Sequence, residues 1–207
     1  MTDNKDHWYD GLFYDRLIAP NQDKAFRLLK NLIKNDSSVI DVGCGTGRLA
    51  FQLKDICNRV DGVDLSLGNI NVALKKLNQT KSANVHFHHS DAEKFLKENN
   101  NKYDYAVISY VIHEMDESLR VNVLNSLANS VNKIIIVDYL APKPESFLKY
   151  LNEVVEFLAG SDHYKNYKTY IKNGGISFLA AQGGFKIIKE IRNTPKSSHI
   201  AVLQKEN

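Results

Sequence analysis

Residues 39–48, Val-Ile-Asp-Val-Gly-Cys-Gly-Thr-Gly-Arg, constrain the fold more than any other part of this 207-residue chain. Val39, Ile40 and Val42 are β-branched, as a strand buried on both faces requires. Glycines at 43, 45 and 47 then let the backbone turn tightly beneath a ligand. A helix is predicted to begin near Thr46, with its free N–H groups aimed at that ligand and favouring a negative charge. A dinucleotide loop needs glycine or alanine where this chain has Arg48, because helix and strand pack closely there. The spacing therefore points away from that class.

The same punctuation recurs along the chain. Residues 59–64, 84–88, 103–110 and 133–139 read as further strands, the last carrying an Ile-Ile-Ile-Val run. Residues 48–57, the stretch after Ser66, residues 92–98 and residues 116–129 read as helices between them. Ser66 opens a Ser-x-x-Asn sequence suited to a helix cap. Ahead of the first strand, residues 23–34 place Phe26, Leu29 and Ile33 on one helical face, and residues 8–19 mix aromatic and apolar side chains as a short N-terminal helix. Alternation at this spacing predicts a parallel sheet with right-handed crossovers. It stops at Pro142. Residues 144–183 read as helix only, with a break at Gly174 and Gly175, and residues 185–191 and 199–204 as an antiparallel pair. The expected fold is α/β: a Rossmann-like, mostly parallel seven-stranded sheet with helices on both faces and the last strand antiparallel. The expected single domain divides into cap helices (1–35), a cofactor-binding core (36–142), a helical insertion (143–183) and a final strand pair (184–207).

A net charge of +3, with Lys interspersed among Asp and Glu, gives no basic block, so no nucleic-acid partner is predicted. No apolar run reaches the length of a membrane span. Cys44 and Cys57 cannot form a disulfide framework and suit free thiols in a reducing compartment, so a cytoplasmic monomer or homodimer is expected. His86, His88 and His89 lie close together, but no Cys or carboxylate completes a ligand set, and no metal is predicted.

Chemistry-bearing residues fall at strand ends, where ligands of such sheets bind. Asp64 ends the second strand and suits either a ribose acceptor or a solvated carboxylate. Asp91 follows the third strand and can accept from an adenine amino group, cap the helix at Ala92, or do both. His113 follows the fourth strand and can act as a base or pack beneath the loop.

Together these stretches resemble the class I S-adenosylmethionine-dependent methyltransferases. Asp41-x-Gly43-x-Gly45-x-Gly47 resembles their first motif, Asp64-Leu65-Ser66 with Ile70 and Ala73 the second, Ser90-Asp91-Ala92 the next, and residues 103–115 the fourth. The ubiquinone and menaquinone biosynthesis methyltransferases and similar small-acceptor enzymes are the nearest group, since Val137-Asp138-Tyr139-Leu140-Ala141-Pro142 also follows their pattern. The resemblance implies S-adenosylmethionine as methyl donor and a small-molecule acceptor methylated by in-line displacement. It implies cofactor contacts from Tyr14, from Asp41, Gly43, Cys44, Gly45 and Gly47, from Asp64 and Leu65 at the ribose, from Asp91 and Ala92 at adenine, and from Ser109 and Tyr110 near the methionine ammonium. The Asn/Asp-Pro-Pro-Tyr/Phe sequence of nucleobase-modifying relatives is absent after the fourth strand.

Acceptor contacts are expected from Tyr9, Glu114, Tyr139, His163, Tyr164 and Tyr167, with the insertion closing over the pocket as a lid. Core packing or a dimer contact would use the same rings. Two other readings of function are open: an NAD(P)-dependent reductase, for which Tyr164 and Lys168 form Tyr-x-x-x-Lys, and a non-catalytic S-adenosylmethionine-binding protein.

Overall fold

The computed structural model describes residues 19–142, 161–192 and 198–206. Seven strands, β1 (Ser37–Val42), β2 (Cys57–Asp64), β3 (Val85–His89), β4 (Tyr103–Ser109), β5 (Val131–Tyr139), β6 (Phe185–Arg192) and β7 (Ser198–Lys205), form one sheet in the order β3-β2-β1-β4-β5-β7-β6. The first five run parallel, and β7 runs antiparallel to both β5 and β6.

Alternation along each central strand feeds two separate cores. Val39 of β1 and Ile135 and Val137 of β5 face one side; Ile40, Val42, Ile134 and Ile136 face the other. The first side is closed by α1 (Ala19–Lys30), α2 (Arg48–Leu53) and α3 (Leu67–Thr80), through Phe26, Leu29, Leu49, Leu53, Ile70 and Ala73. The second is closed by α4 (Ala92–Asn99), α5 (Glu117–Ala128), α6 (Ser161–Asn173) and α7 (Gly175–Gly183). An Ile-Ile-Ile-Val run suits β5 because each residue enters a core, at about 1.5–3 kcal/mol per fully buried side chain.

Three elements differ from expectation, the first being the helix expected over 23–34, which spans Ala19–Lys30. The helix expected over 48–57 stops at Leu53, and Cys57 begins β2. Here the Ile56 N–H turns back to the Leu53 carbonyl, while the Ile56 carbonyl accepts from Asp36, so the chain is already tied to the start of β1. Short apolar runs such as Ile56, Cys57 and Val60 satisfy either period. The helix after the glycine turn also begins at Arg48 and not near Thr46, because Gly47 sits at φ 79°, outside helical geometry.

The described part of the expected insertion divides in two. α7 buries Ile176, Leu179 and Ala180 against the sheet as part of the second core. α6 stands at the carboxyl edge of the parallel strands and buries His163, Tyr167 and Tyr170. Tyr9, Tyr14 and the aromatic segment over 8–19 lie outside the described residues, apart from Ala19.

Candidate active site

The strand order reverses direction at β1, which lies between β2 and β4, so the crevice beyond its carboxyl end is the place for a ligand. The glycine turn occupies it. Gly43 and Cys44 donate their N–H groups to the Val63 carbonyl at 2.8 and 3.1 Å, hanging the turn from β2. A side chain on Gly43 would meet Val111 at 2.6 Å, and one on Gly47 would collide with the Phe87 ring, whereas Gly45 at φ 54° faces open space. The Cys44 thiol is buried, and burial pushes its pKa well above the ordinary thiol value. Cys44 thus contributes turn geometry, with its side chain in the core.

Three carboxylates, Asp64, Asp91 and Asp41, stand at or after the ends of the strands around this turn. Asp64, at the end of β2, accepts from the Gly45 N–H and the Ser66 N–H, both at 2.8 Å. Leu65 beside it is 52% exposed, an apolar surface at the crevice rim. Ser66 caps α3 by accepting from Asn69 N–H at 3.2 Å, as the Ser-x-x-Asn spacing predicts. Asp91 caps α4 through Lys94 N–H at 2.8 Å, with Ala92 buried behind it. Asp41 is completely buried, and neither carboxylate oxygen has a hydrogen-bond partner. Burial, and then the negative charge of Asp64, push its pKa up to about 7. A buried carboxylate without a donor is costly, so this position calls for a bound cation or donor above it. An aminoacyl ammonium is such a group. The open space at Gly45, the orphaned Asp41 and the exposed Leu65 therefore fit S-adenosylmethionine.

Arg48, which departs from the dinucleotide pattern, has a definite place. Its guanidinium makes two 2.7 Å bonds to Asp23 on α1, joined by Gln52 at 3.0 Å, and holds the Asp23 carboxyl below its usual range.

A second cluster lies beyond β4 and β5. Tyr110 directly follows β4 at φ 57°, an uncommon conformation for a bulky residue, with its N–H on the Val137 carbonyl and its hydroxyl 3.0 Å from Ser198. Ser109 directly before it is half-buried. His113 is buried, and its Nδ1 lies 2.7 Å from an Asp138 oxygen, with its backbone N–H on the other oxygen at 3.3 Å. A carboxylate oxygen accepts, so in a neutral His113 paired this way Nδ1 carries the proton and Nε2 the lone pair. Glu114 bridges two imidazoles: Nε2 of His113 lies 3.9 Å and Nε2 of His163 3.5 Å from its two oxygens. Tyr139 stands edge-on to His113 at 4.8 Å and to Tyr167 at 5.2 Å. His113, Glu114, Tyr139, His163 and Tyr167 are therefore one constellation. Tyr164, on the same helix as Tyr167, is half-buried, and the ammonium of the exposed Lys168 lies 5.6 Å from its ring centre. That Tyr-x-x-x-Lys pair is a cation–π contact along α6.

Sequence reading missed Asp138 as the partner of His113, and missed Arg120 altogether. An Asp directly after the apolar Ile-Ile-Ile-Val run was a signal for the first, and an Arg on the stripe of Leu124 and Leu127 for the second. Among the three neighbouring histidines, His88 pairs with Asp61 at 3.1 Å and His89 with the Leu65 carbonyl at 3.0 Å.

This sheet order, with a glycine turn after β1 and a carboxylate at the end of β2, is the Rossmann-like methyltransferase fold. Residues 39–133 match the family model described as a methyltransferase domain. A solved structure of magnesium protoporphyrin IX methyltransferase from Synechocystis PCC 6803, with S-adenosylhomocysteine bound, superposes with a TM-score of 0.63 at 20% identity, covering 91% of this chain and 84% of that one. An uncharacterized methyltransferase of Staphylococcus carnosus is 26% identical over 144 residues, 67% of this chain and 66% of its own length. The demethylmenaquinone methyltransferase of Leptospira interrogans is 30% identical over 114 residues, 50% of this chain and 46% of its own length. Over residues 39–133 the chain is similar to the methyltransferase domain family, and it has the fold of the methyltransferases on which it superposes. It spans less than two thirds of the length of the curated relatives it matches. Among the described residues no helix is long and apolar enough to cross a membrane.

Proposed function

We propose that the protein transfers the methyl group of S-adenosylmethionine to a small-molecule acceptor that arrives protonated at the atom to be methylated. The observation carrying this reading is the buried Asp138–His113 pair, at 2.7 Å, on the segment whose Val111 packs over the glycine turn. The sulfonium makes its methyl electrophilic, so the protein's part is alignment and proton removal. Asp138 fixes the imidazole so that Nε2 accepts the acceptor's proton. Glu114 lies 3.9 Å from that nitrogen, with His163 on its other oxygen, and gives the proton a route toward solvent, since Glu114 is 36% exposed. Tyr139 and Tyr167 supply flat walls for a small acceptor.

For the donor, the reading assigns Asp41 and the turn at Gly43, Cys44, Gly45 and Gly47 to the aminoacyl end. Asp64 and Leu65 take the ribose, Asp91 and Ala92 adenine, and Ser109 and Tyr110 the space beside the ammonium. The two free buried thiols support a reducing, cytoplasmic setting. The residue pair of the reductase reading is a cation–π contact within α6, and the domain match runs through the donor motifs.

The test is S-adenosylhomocysteine release across a panel of phenolic, carboxylic and amine acceptors, with the parent and His113→Gln compared. The expected result is turnover with at least one hydroxyl-bearing acceptor and a fall of roughly 10²–10⁴-fold in kcat for the variant. Equal rates in parent and variant on every active acceptor would overturn the role of His113.

A further inference from the structure

Arg120 is 1% exposed, on the face of α5 that also carries Leu124 and Leu127. It forms no ion pair among the described residues. Instead its guanidinium donates to four oxygens on two separate segments. Nε donates to the Met115 carbonyl at 3.1 Å. Nη2 reaches the His113 carbonyl at 3.4 Å, the Asn166 carbonyl at 2.6 Å and Thr169 Oγ1 at 3.1 Å. Its carbon Cζ lies 5.7 Å from the Tyr170 ring centre. Asn166 adds a second tie between the same segments, donating to the Glu114 carbonyl at 2.9 Å.

Burying a charge in this way is expensive, and an apolar side chain would complete the stripe at lower cost. What the guanidinium supplies is geometry: a planar fork holding main-chain oxygens from two segments in one arrangement. One segment carries His113 and Glu114. The other, α6, carries His163 and Tyr167.

We propose that Arg120 is a positioning residue, which fixes the loop after β4 to α6 and so holds His113 on Asp138 and His163 on Glu114. The inference rests on the site assigned above, but not on His113 acting as the base. On this account α6 is a fixed wall of the pocket and does not swing as a lid.

The experiment follows the imidazole of His113 directly, by long-range proton–nitrogen correlation spectra of labelled protein, assigned by difference from His113→Gln. Calorimetry with S-adenosylhomocysteine runs beside it. In Arg120→Met the expected result is a folded protein with parental S-adenosylhomocysteine affinity. The tautomer protonated at Nδ1, dominant in the parent, becomes a mixture, and the Nδ1 proton exchanges at least about tenfold faster. Arg120→Lys keeps the charge but not the fork, and should not restore the parental spectrum. Thr169→Val removes one acceptor on α6 with little change in shape, should shift the same resonances, and decides the matter if Arg120→Met does not fold. Parental His113 spectra in the folded variants would overturn the proposal. So would loss of S-adenosylhomocysteine binding in step with the spectral change, because that is general loosening. Failure of His113→Gln to slow turnover would remove the base and leave this result standing.

Discussion

Asp41 is the residue at which the site's demands work against the ligand-free fold. Its carboxyl has an ordinary pKa of 3.8 and is raised to about 7 by burial and by Asp64. Between about pH 4 and pH 7 the native state therefore holds a proton that the unfolded chain has released. Stability contributed by this group is full below the lower value and lost as pH rises through the upper one. About three units correspond to a ceiling of roughly 4 kcal/mol. Denaturant unfolding of the ligand-free protein at pH 5 and pH 8 should show a loss that Asp41→Asn largely removes. An identical loss in parent and variant would mean that Asp41 already has a partner. The positions of Asp41 before the glycine turn and of Asp64 at the end of β2 were legible in the sequence because a short motif encodes them. Asp138 and Arg120 were not, since their partners lie 25 and 46 or more positions away for the longest contacts, at His113 and on α6. A side chain's partner across the fold leaves no periodic trace.

At the level of elements, the glycine turn joins strand, loop and helix through packing that differs at each glycine. Gly47 is held at φ 79° against the Phe87 ring, while Gly45 at φ 54° faces open space. Gly47→Ala should therefore cost about 2–4 kcal/mol of stability, combining left-handed strain with overpacking. Gly45→Ala should cost only about 1–2 kcal/mol, from strain alone, yet weaken S-adenosylhomocysteine binding by filling the cradle. Urea unfolding with calorimetry separates these effects, and equal stability losses at the two positions would contradict the packing described. The existence and type of the described elements could be read from the sequence, because apolar periods of two and 3.6 report which face is buried. The end of α2 could not. Residues 54–57 carry too few apolar positions to show where a helix yields to a strand, and that boundary is set by the Ile56 main chain reaching Asp36 and Leu53.

For the whole molecule, the alternation of strands and helices predicted a parallel sheet with an antiparallel close, and the sheet has that form. Periodicity does not state which strand lies beside which. The order β3-β2-β1-β4-β5-β7-β6 brings the ends of β3, β2 and β1 to one side of the crevice and those of β4 and β5 to the other. Asp91, Asp64 and Asp41 consequently fall on one side of the crevice, and Ser109, His113 and Asp138 on the other. The central claim is that this edge binds S-adenosylmethionine and its product through those carboxylates. Titration calorimetry of the parent and of Asp64→Ala with S-adenosylhomocysteine, and of the parent with NAD, tests it most directly. One-to-one binding of S-adenosylhomocysteine is expected, weakened at least about tenfold in Asp64→Ala by loss of a charged hydrogen-bond acceptor, with no heat from NAD. Absence of binding by the parent, unchanged affinity in Asp64→Ala, or NAD binding of equal strength would contradict the account.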